Sequence, residues 1–433
     1  MAASGKRRVV ITGMATINPL GDTLAGYYDQ LLRGVSGVKV WTSLDLSQVE
    51  CKIGGDLGDY NAKAALERLG GSLPPLIHKK TAKLFKTATF SNRLTLLCSL
   101  GAWLDAGLFG LEADPFATSV LVAGHNFNSR YILKNSEQFK AEPLYIDPLF
   151  GVEALDPNIA ASVTEVLGAR GPAFTVGAAC ASGNIALREG FRDVATGECE
   201  RAVVAGAVFD MTAADIHAMA YLDSVVVKPE YQQNPAAASR PFDRKRCGFV
   251  PSHGAGTLIL EELSAARQRG ARIYAEVLAV KANANANHLP APSAESQERL
   301  IKDLLAATGV KPEQIDYINC HATGTPQGDL EEIRAIKAAF GPHAYRLKLN
   351  APKSMLGHVC WSAPVVETIG AVLQMNHNRL HPTINVDELD PEIDLDVCAN
   401  QAQDHEVRYL LKNSFGFGGL NCCALLAKVE GKI

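Results

Sequence analysis

Four short polar stretches interrupt the apolar segments of this chain, and each carries residue types suited to acyl-transfer chemistry. The first is Phe174-Thr-Val-Gly-Ala-Ala-Cys180-Ala-Ser-Gly and the second Asn319-Cys-His321-Ala-Thr323-Gly-Thr325-Pro-Gln-Gly-Asp329-Leu-Glu-Glu332. The third is Ala351-Pro-Lys353-Ser-Met-Leu-Gly357-His358 and the fourth Asn413-Ser-Phe415-Gly-Phe417-Gly-Gly419-Leu-Asn421. A cysteine at a strand-to-helix turn lies where unpaired backbone N–H groups and the positive end of a helix dipole converge. Its thiol is therefore expected to ionise below the free value of ~8.5. Two histidines and a lysine on separate loops add proton carriers and oxyanion donors, the partners that nucleophilic acyl chemistry requires. Each stretch alone has a plainer reading. A free cysteine is commonly a small buried hydrophobe, a lone histidine is more often structural, and Gly-Phe-Gly-Gly can be no more than a tight turn.

The apolar runs between these stretches set where they fall. Val9-Val-Ile-Thr-Gly13 reads as a first strand, followed by a helix over 23–34 that stops at Gly34. Residues 41–75 are turn-rich and poorly periodic, a helix covers 88–107, and 118–124 is a buried strand. Residues 125–160 carry Tyr145, Pro148, Phe150 and Pro157 and read as a long surface excursion of the kind that walls a pocket or meets a partner. The strand before Cys180 leads into a helix ending near Gly197, and strands over 201–206, 257–260 and 273–280 close the first half. The second half repeats the rhythm. Ser293 caps a helix over 294–308, a strand over 315–319 ends at His321, and a helix over 329–340 stops at Gly341-Pro342. A strand over 346–350, a helix from Pro364, and strands over 409–413 and 424–428 finish the chain. Strands alternating with helices twice over predict a layered α/β core of two similar halves, residues 1–265 and 266–433. In such sheets ligands gather at the carboxyl ends of strands, where the four polar stretches lie.

Composition narrows the classes. Of 433 residues 47% are hydrophobic and 20% charged, with net charge −4, which fits a globular protein and gives no footprint for nucleic acid. No run of about 18 uncharged apolar residues predicts a membrane span, and the apolar stretch after the N-terminus is too short for a signal peptide, so a cytoplasmic location is expected. The ten cysteines form no C-x-x-C pair, which argues for reduced thiols rather than a metal site or disulfide framework. Lys79, Lys80, Lys83 and Lys86 recur at helical spacing on one face, a pattern that by spacing alone reads first as a solvated helix face and second as a dock for an acidic partner.

In this order and spacing, the four stretches resemble the β-ketoacyl-[acyl carrier protein] synthases of the thiolase superfamily. The likeness runs from Val9 to Asn421 and takes in Ser239-Arg-Pro-Phe-Asp243 and His381-Pro-Thr-Ile-Asn385. The resemblance implies a thiolase fold, a five-layered αβαβα sandwich, in a dimer, and decarboxylative condensation of malonyl-carrier protein with a cysteine-bound acyl group. It implies Cys180 as nucleophile, with His321 and His358 as the pair that drives decarboxylation. Lys353 and Glu332 are implied as a buried pair orienting the histidines. The backbone N–H groups of Cys180 and Phe417 match an oxyanion hole, Phe417 the gate and Phe415 a supporting ring, and Thr323 and Thr325 match the hydroxyls holding the pantetheine. No cofactor or metal of its own is implied, because phosphopantetheine arrives on the acyl carrier protein, which Lys79, Lys80 and Lys83 would dock.

Three departures stand out. Val359-Cys-Trp361-Ser-Ala-Pro364 replaces the family's small residues after the histidine, so Trp361 is expected to shrink the acyl pocket. Cys247 and Pro251-Ser-His253 replace an acidic and glycine-rich run, and Leu420 replaces a threonine. These features resemble the free-standing ketosynthase-like proteins of polyketide β-branching clusters, which implies malonyl-carrier decarboxylation as the alternative to condensation. Members of that branch commonly carry serine where Cys180 stands. A non-catalytic chain-length-factor-like subunit would lack the nucleophile that this chain retains.

Overall fold

The computed structural model describes residues 7–429. Ten strands build its central sheets. β1 (Val9–Ile17), β2 (Thr118–Ala123), β3 (Ala173–Val176), β4 (Arg201–Gly206) and β5 (Ala255–Glu262) form the first half. β6 (Ala275–Ala284), β7 (Tyr317–Asn319), β8 (Lys348–Asn350), β9 (Tyr409–Gly416) and β10 (Leu420–Ala427) form the second. Their spatial order is β8-β7-β9-β10-β6-β1-β5-β4-β2-β3. Each half runs third, second, fourth, fifth, first, with its second strand parallel to the third and the fourth and its fifth antiparallel to both neighbours. The halves therefore share one topology. They join through a short antiparallel pairing of β1 with β6 from Val9↔Val277 to Ile11↔Ala275.

Helices α1 (Phe90–Asp105) and α2 (Pro157–Leu167) cover the outside of the first sheet, and α4 (Ala294–Thr308) and α5 (Pro326–Phe340) the outside of the second. Between the sheets lie α3 (Ser182–Thr196) and α6 (Ala363–His377), in a core with Leu121, Leu187, Val204, Val366, Ile369 and Leu410. The result is the five-layered αβαβα sandwich. Its local causes are visible in the chain. Ser293 accepts from Ser296 N–H to start α4, and Gly309, at φ +72°, stops it. Helix α6 is buried all round except at its last residues, as its largely apolar run demands, so Ile369→Ala would cost about 2–5 kcal/mol. The starts of α3 and α6 touch: a Cβ on Gly183 would sit 2.8 Å from Pro364, so only glycine allows the approach.

Two segments are more ordered than their sequence predicts. Within 41–75 the helix Ala62–Gly70 forms on the side-chain cap of Asn61, its three buried positions too few to give a clear period. Within 125–160 stands the helix Ser129–Ala141, whose exposed Leu133 and Phe139 mask its amphipathic pattern. The strands expected over 409–413 and 424–428 belong to one longer hairpin, β9 and β10, closed by Phe417–Gly419.

Candidate active site

Helix α3 is preceded by a 3₁₀ turn, Ala179–Ala181, that holds Cys180. Ala179 takes φ +45°, a left-handed conformation costly for alanine, held in place by Ser182, whose hydroxyl accepts from Ala178 N–H at 2.8 Å and donates to Ala179 O at 2.7 Å. The β9–β10 hairpin crosses this turn so closely that a Cβ on Gly416 would lie 2.7 Å from Ala178 O. That approach brings the backbone N–H of Phe417 to the Cys180 sulfur, beside the N–H of Cys180 itself. These are the two donors expected of an oxyanion hole.

Cys180 lies beside a cavity of about 340 Å³ lined also by His321, Thr323, Thr325, His358, Phe415 and Phe417, with Phe249, Asn285 and Asn421. Seven residues read from the sequence as site residues thus converge on one space. His358 is clamped by the stretch that departs from the family: its N–H donates to Val250 O at 2.6 Å, and Ser252 N–H donates back to its carbonyl at 3.0 Å. Its ring meets Phe249 edge-on at 5.1 Å and His321 at 5.6 Å. Neither ring nitrogen of His358, nor Nδ1 of His321, has a hydrogen-bond partner among the described residues. Burial, reinforced by Lys353 and Lys412, holds both imidazoles well below the ordinary 6.5, so both are neutral. Neutral rings each carry one N–H and one acceptor, the inventory needed to meet an enolate or take a thiol proton. Thr323 and Thr325 hydroxyls lie 3.1 Å apart at the same wall.

Four sequence expectations need correction. The Cys180 thiol is not lowered. Burial pushes it up to about 11 against the opposing pull of Lys353 and the two N–H groups, because the turn sits inside the sandwich rather than at its surface. Lys353 does not pair with Glu332. Its Nζ lies 2.6 Å from Glu367 Oε1 and donates to His321 O at 2.7 Å. Glu332 instead accepts the N–H groups of His321 and Ala322, at 2.9 and 2.7 Å, and the Asn413 side chain at 2.9 Å. It still orients the histidine, through the backbone. Trp361 is absent from the cavity lining; it stacks on His125 at 4.3 Å and packs against Phe209 at 5.2 Å. Finally, the four lysines do not share one face. Lys79, Lys83 and Lys86 are exposed around the helix Pro75–Leu84, but half-buried Lys80 lies to one side and donates to Glu165 O of α2 at 2.8 Å, and none lines the cavity.

Two functional neighbours went unread. Glu367 lies in the apolar helix α6, and Lys412 in the apolar strand β9; their side chains are essentially inaccessible and their charges lie 2.7 Å apart. A lone charge inside an otherwise apolar run is the signal that would have found both. His253, singled out as a departure, is a buried structural residue whose Nδ1 accepts from Leu57 N–H at 3.1 Å, beside Trp41 and Phe90.

With this geometry in hand, comparison with known proteins is direct. The β-ketoacyl synthase N-terminal domain matches residues 6–266 and the β-ketoacyl synthase C-terminal domain residues 274–387. A 3-oxoacyl-[acyl-carrier-protein] synthase 2 of Synechocystis sp. is 34% identical over 99% of this chain and 100% of its own. The ishigamide ketosynthase/chain length factor superposes with a TM-score of 0.87 at 28% identity, covering 98% of this chain and 100% of its own. A type II polyketide synthase acyl-carrier protein complexed with its ketosynthase bound to the hexaketide gives 0.83 at 25% identity, with the same coverage. The chain belongs to the β-ketoacyl synthase family.

Proposed function

We propose that the protein is a carrier-protein-dependent condensing enzyme of fatty-acid or polyketide synthesis. The observation that carries this reading is the convergence of Cys180, two N–H donors and two neutral histidines on one cavity. The Cys180 sulfur attacks the carbonyl carbon of an acyl thioester, and the N–H groups of Cys180 and Phe417 hold the oxyanion while the pantetheine thiol leaves with the proton. A malonyl thioester then loses CO₂. The N–H groups of His321 and His358 meet the charge that grows on its thioester oxygen, and such preorganised donors are each worth about 3–4 kcal/mol. The enolate carbon attacks the acyl carbonyl carbon, and the carbon–sulfur bond to Cys180 breaks to return its thiolate, which takes up a proton from solvent. The β-ketoacyl thioester leaves on its carrier. Thr323 and Thr325 are positioned to hold the pantetheine arm. No cofactor takes part beyond the phosphopantetheine carried by the acyl carrier protein.

A second reading is decarboxylation without extension. It needs only the two neutral histidines at the cavity wall, His321 and His358, and no acyl group on Cys180. Intact mass spectrometry of malonyl-carrier protein, with and without an acyl donor, separates the two. A β-ketoacyl product means condensation. Acetyl-carrier protein as the sole product means decarboxylation, and no change to either carrier overturns both.

We further propose a dimer in the cytoplasm, with Lys79, Lys83 and Lys86 facing the acidic carrier. β3 is an edge strand with one neighbour and exposes Phe174, and the segment over 125–160 exposes Phe139, Leu144, Tyr145 and Val152. Such an apolar open edge invites antiparallel pairing with a second copy, and light scattering at about 93 kDa, twice 46.3 kDa, would support it.

A further inference from the structure

The mechanism above leaves the buried charge of Lys412 without a task. Lys412 lies in β9, its side chain wholly inaccessible, and an ammonium taken out of water costs several kcal/mol unless it is paired. We propose that Lys412 is a positioning residue for the histidine pair, its ammonium closing a buried ring of ion pairs and hydrogen bonds that joins three active-site loops to α6. The inference rests on the acyl-transfer reading of the site.

The ring can be followed bond by bond. Lys412 Nζ lies 2.7 Å from Glu367 Oε2, and Lys353 Nζ lies 2.6 Å from Glu367 Oε1, so one carboxylate serves two ammoniums. Lys353 donates to His321 O, and His321 N–H donates to Glu332 Oε1. The same Glu332 oxygen accepts from Asn413 Nδ2, and Lys412 Nζ returns to Asn413 O at 2.5 Å. The ring thus fixes the backbone of His321 on both sides. It also fixes Lys353, which opens the short helix Lys353–Leu356 that leads to His358. Asn184 of α3 holds the strand in place by donating to Lys412 O at 3.3 Å and Cys422 O at 2.9 Å.

Charge balance gives the ring a second effect. Lys353, Lys412, Glu332 and Glu367 together are neutral. The other ionisable groups facing Lys412 or the ring include Asp329, paired with Arg246 at 3.8 Å, the thiols of Cys180, Cys320 and Cys423, the Tyr27 phenol and the His381 ring. Without Lys412 the cluster would carry one uncompensated negative charge beside two imidazoles, and Lys412 already acts to keep both unprotonated. A lysine here therefore keeps His321 and His358 as neutral donors when malonate brings its own negative charge into the site.

The test uses the full chain with ¹³Cε1-labelled histidines, the two site resonances being assigned through His321→Asn and His358→Asn. Lys412→Met should move the titration of one or both rings upward by about one pH unit. It should also slow malonyl-carrier decarboxylation about tenfold or more, with KM for the carrier little changed. Lys412→Gln should do the same. The double variant Lys412→Met/Glu367→Gln, which restores neutrality, should return the titration toward that of the wild type. Unmoved histidine titrations in soluble single variants would overturn the proposal whatever the rates. So would failure of both single variants to fold, which would give Lys412 a folding role alone. A wild type that decarboxylates nothing, with the expected titration shifts in the Lys412 variants, would instead overturn the functional reading and leave the ring intact.

Discussion

Cys180 and Trp361 occupy equivalent places in the two halves of the sandwich. Each directly follows a non-glycine residue in the left-handed region, Ala179 at φ +45° and Cys360 at φ +50°. Each lies in a 3₁₀ turn, Ala179–Ala181 or Cys360–Ser362, that opens a 15-residue helix between the sheets. One half spends this strained turn on a nucleophile, the other on the largest apolar ring in the alphabet.

That equivalence makes Trp361 the residue to change. If the indole between His125 and Phe209 caps the space an acyl chain would take, Trp361→Gly should extend loading of Cys180 from acetyl toward octanoyl donors. Each added methylene that a closed pocket refuses is worth about 1–3 kcal/mol, so the wild type should fall off steeply with chain length. Mass shifts of the acylated protein give the series. Ready octanoyl loading of the wild type would refute the capped pocket, and a variant that loses about 3–5 kcal/mol of stability without broader loading would make Trp361 core filling alone.

Cys180 and Cys51 provide an internal control on access. Burial pushes both thiols up to about 11, but only Cys180 lines the cavity. With equal ionisation, iodoacetamide should label Cys180 well ahead of Cys51, and the rate at Cys180 should rise about tenfold per pH unit from 7 to 9 without a plateau. Peptide mapping over that range reads both. A plateau by pH 8 would show a thiol ionising near its free value and contradict the burial argument.

The exposed lysines should matter for the carrier and for nothing else. Charge reversal of Lys79, Lys83 and Lys86 to glutamate should raise KM for carrier-bound malonyl while leaving thermal stability within about 0.5 kcal/mol. Rising salt should raise the wild-type KM too, since exposed charges are screened beyond about 10 Å at 0.1 M. Unchanged kinetics in the triple variant would leave these lysines a solvated face. Lys80→Glu should behave differently and cost stability, because it breaks the bond to Glu165 O.

Buried histidines predict the acid limit of the fold. Burial lowers His381 to about 4 and His253 to about 3, and lowers His321 and His358 in the same direction. The unfolded chain takes up protons on these rings near 6.5, before the folded one can, so stability is full above that pH and falls as pH drops toward the folded values. By pH 4.5 His381 alone should contribute a loss of about 2–3 kcal/mol. Urea midpoints measured from pH 7.5 to 4.5 should decline steadily, and His381→Asn should flatten the decline.

Residue type and order were enough to locate most of this site. Cysteine, two histidines, a lysine and a glycine-rich hairpin announce themselves because each is chemically unlike the apolar strand it ends, and a strand's end is a local property. The doubled α/β rhythm was legible for the same reason: apolar runs bounded by Gly341-Pro342, Ser293 or Gly197 need no tertiary information. What depends on depth was not legible. Whether Cys180 ionises easily is decided by how far the sandwich closes over its turn, and burial there outweighs the helix start. Which carboxylate meets Lys353 is decided by α6 lying against β9, so Glu367, 14 residues away in sequence, displaces Glu332 from that role. Lys80 and its neighbours share a spacing, but the packing of α2 draws one of them aside to Glu165 O. Sequence alone determined which groups are present and where the chain turns; only the packing of two sheets around two buried helices decided which of those groups meet, and how dry the place is where they do.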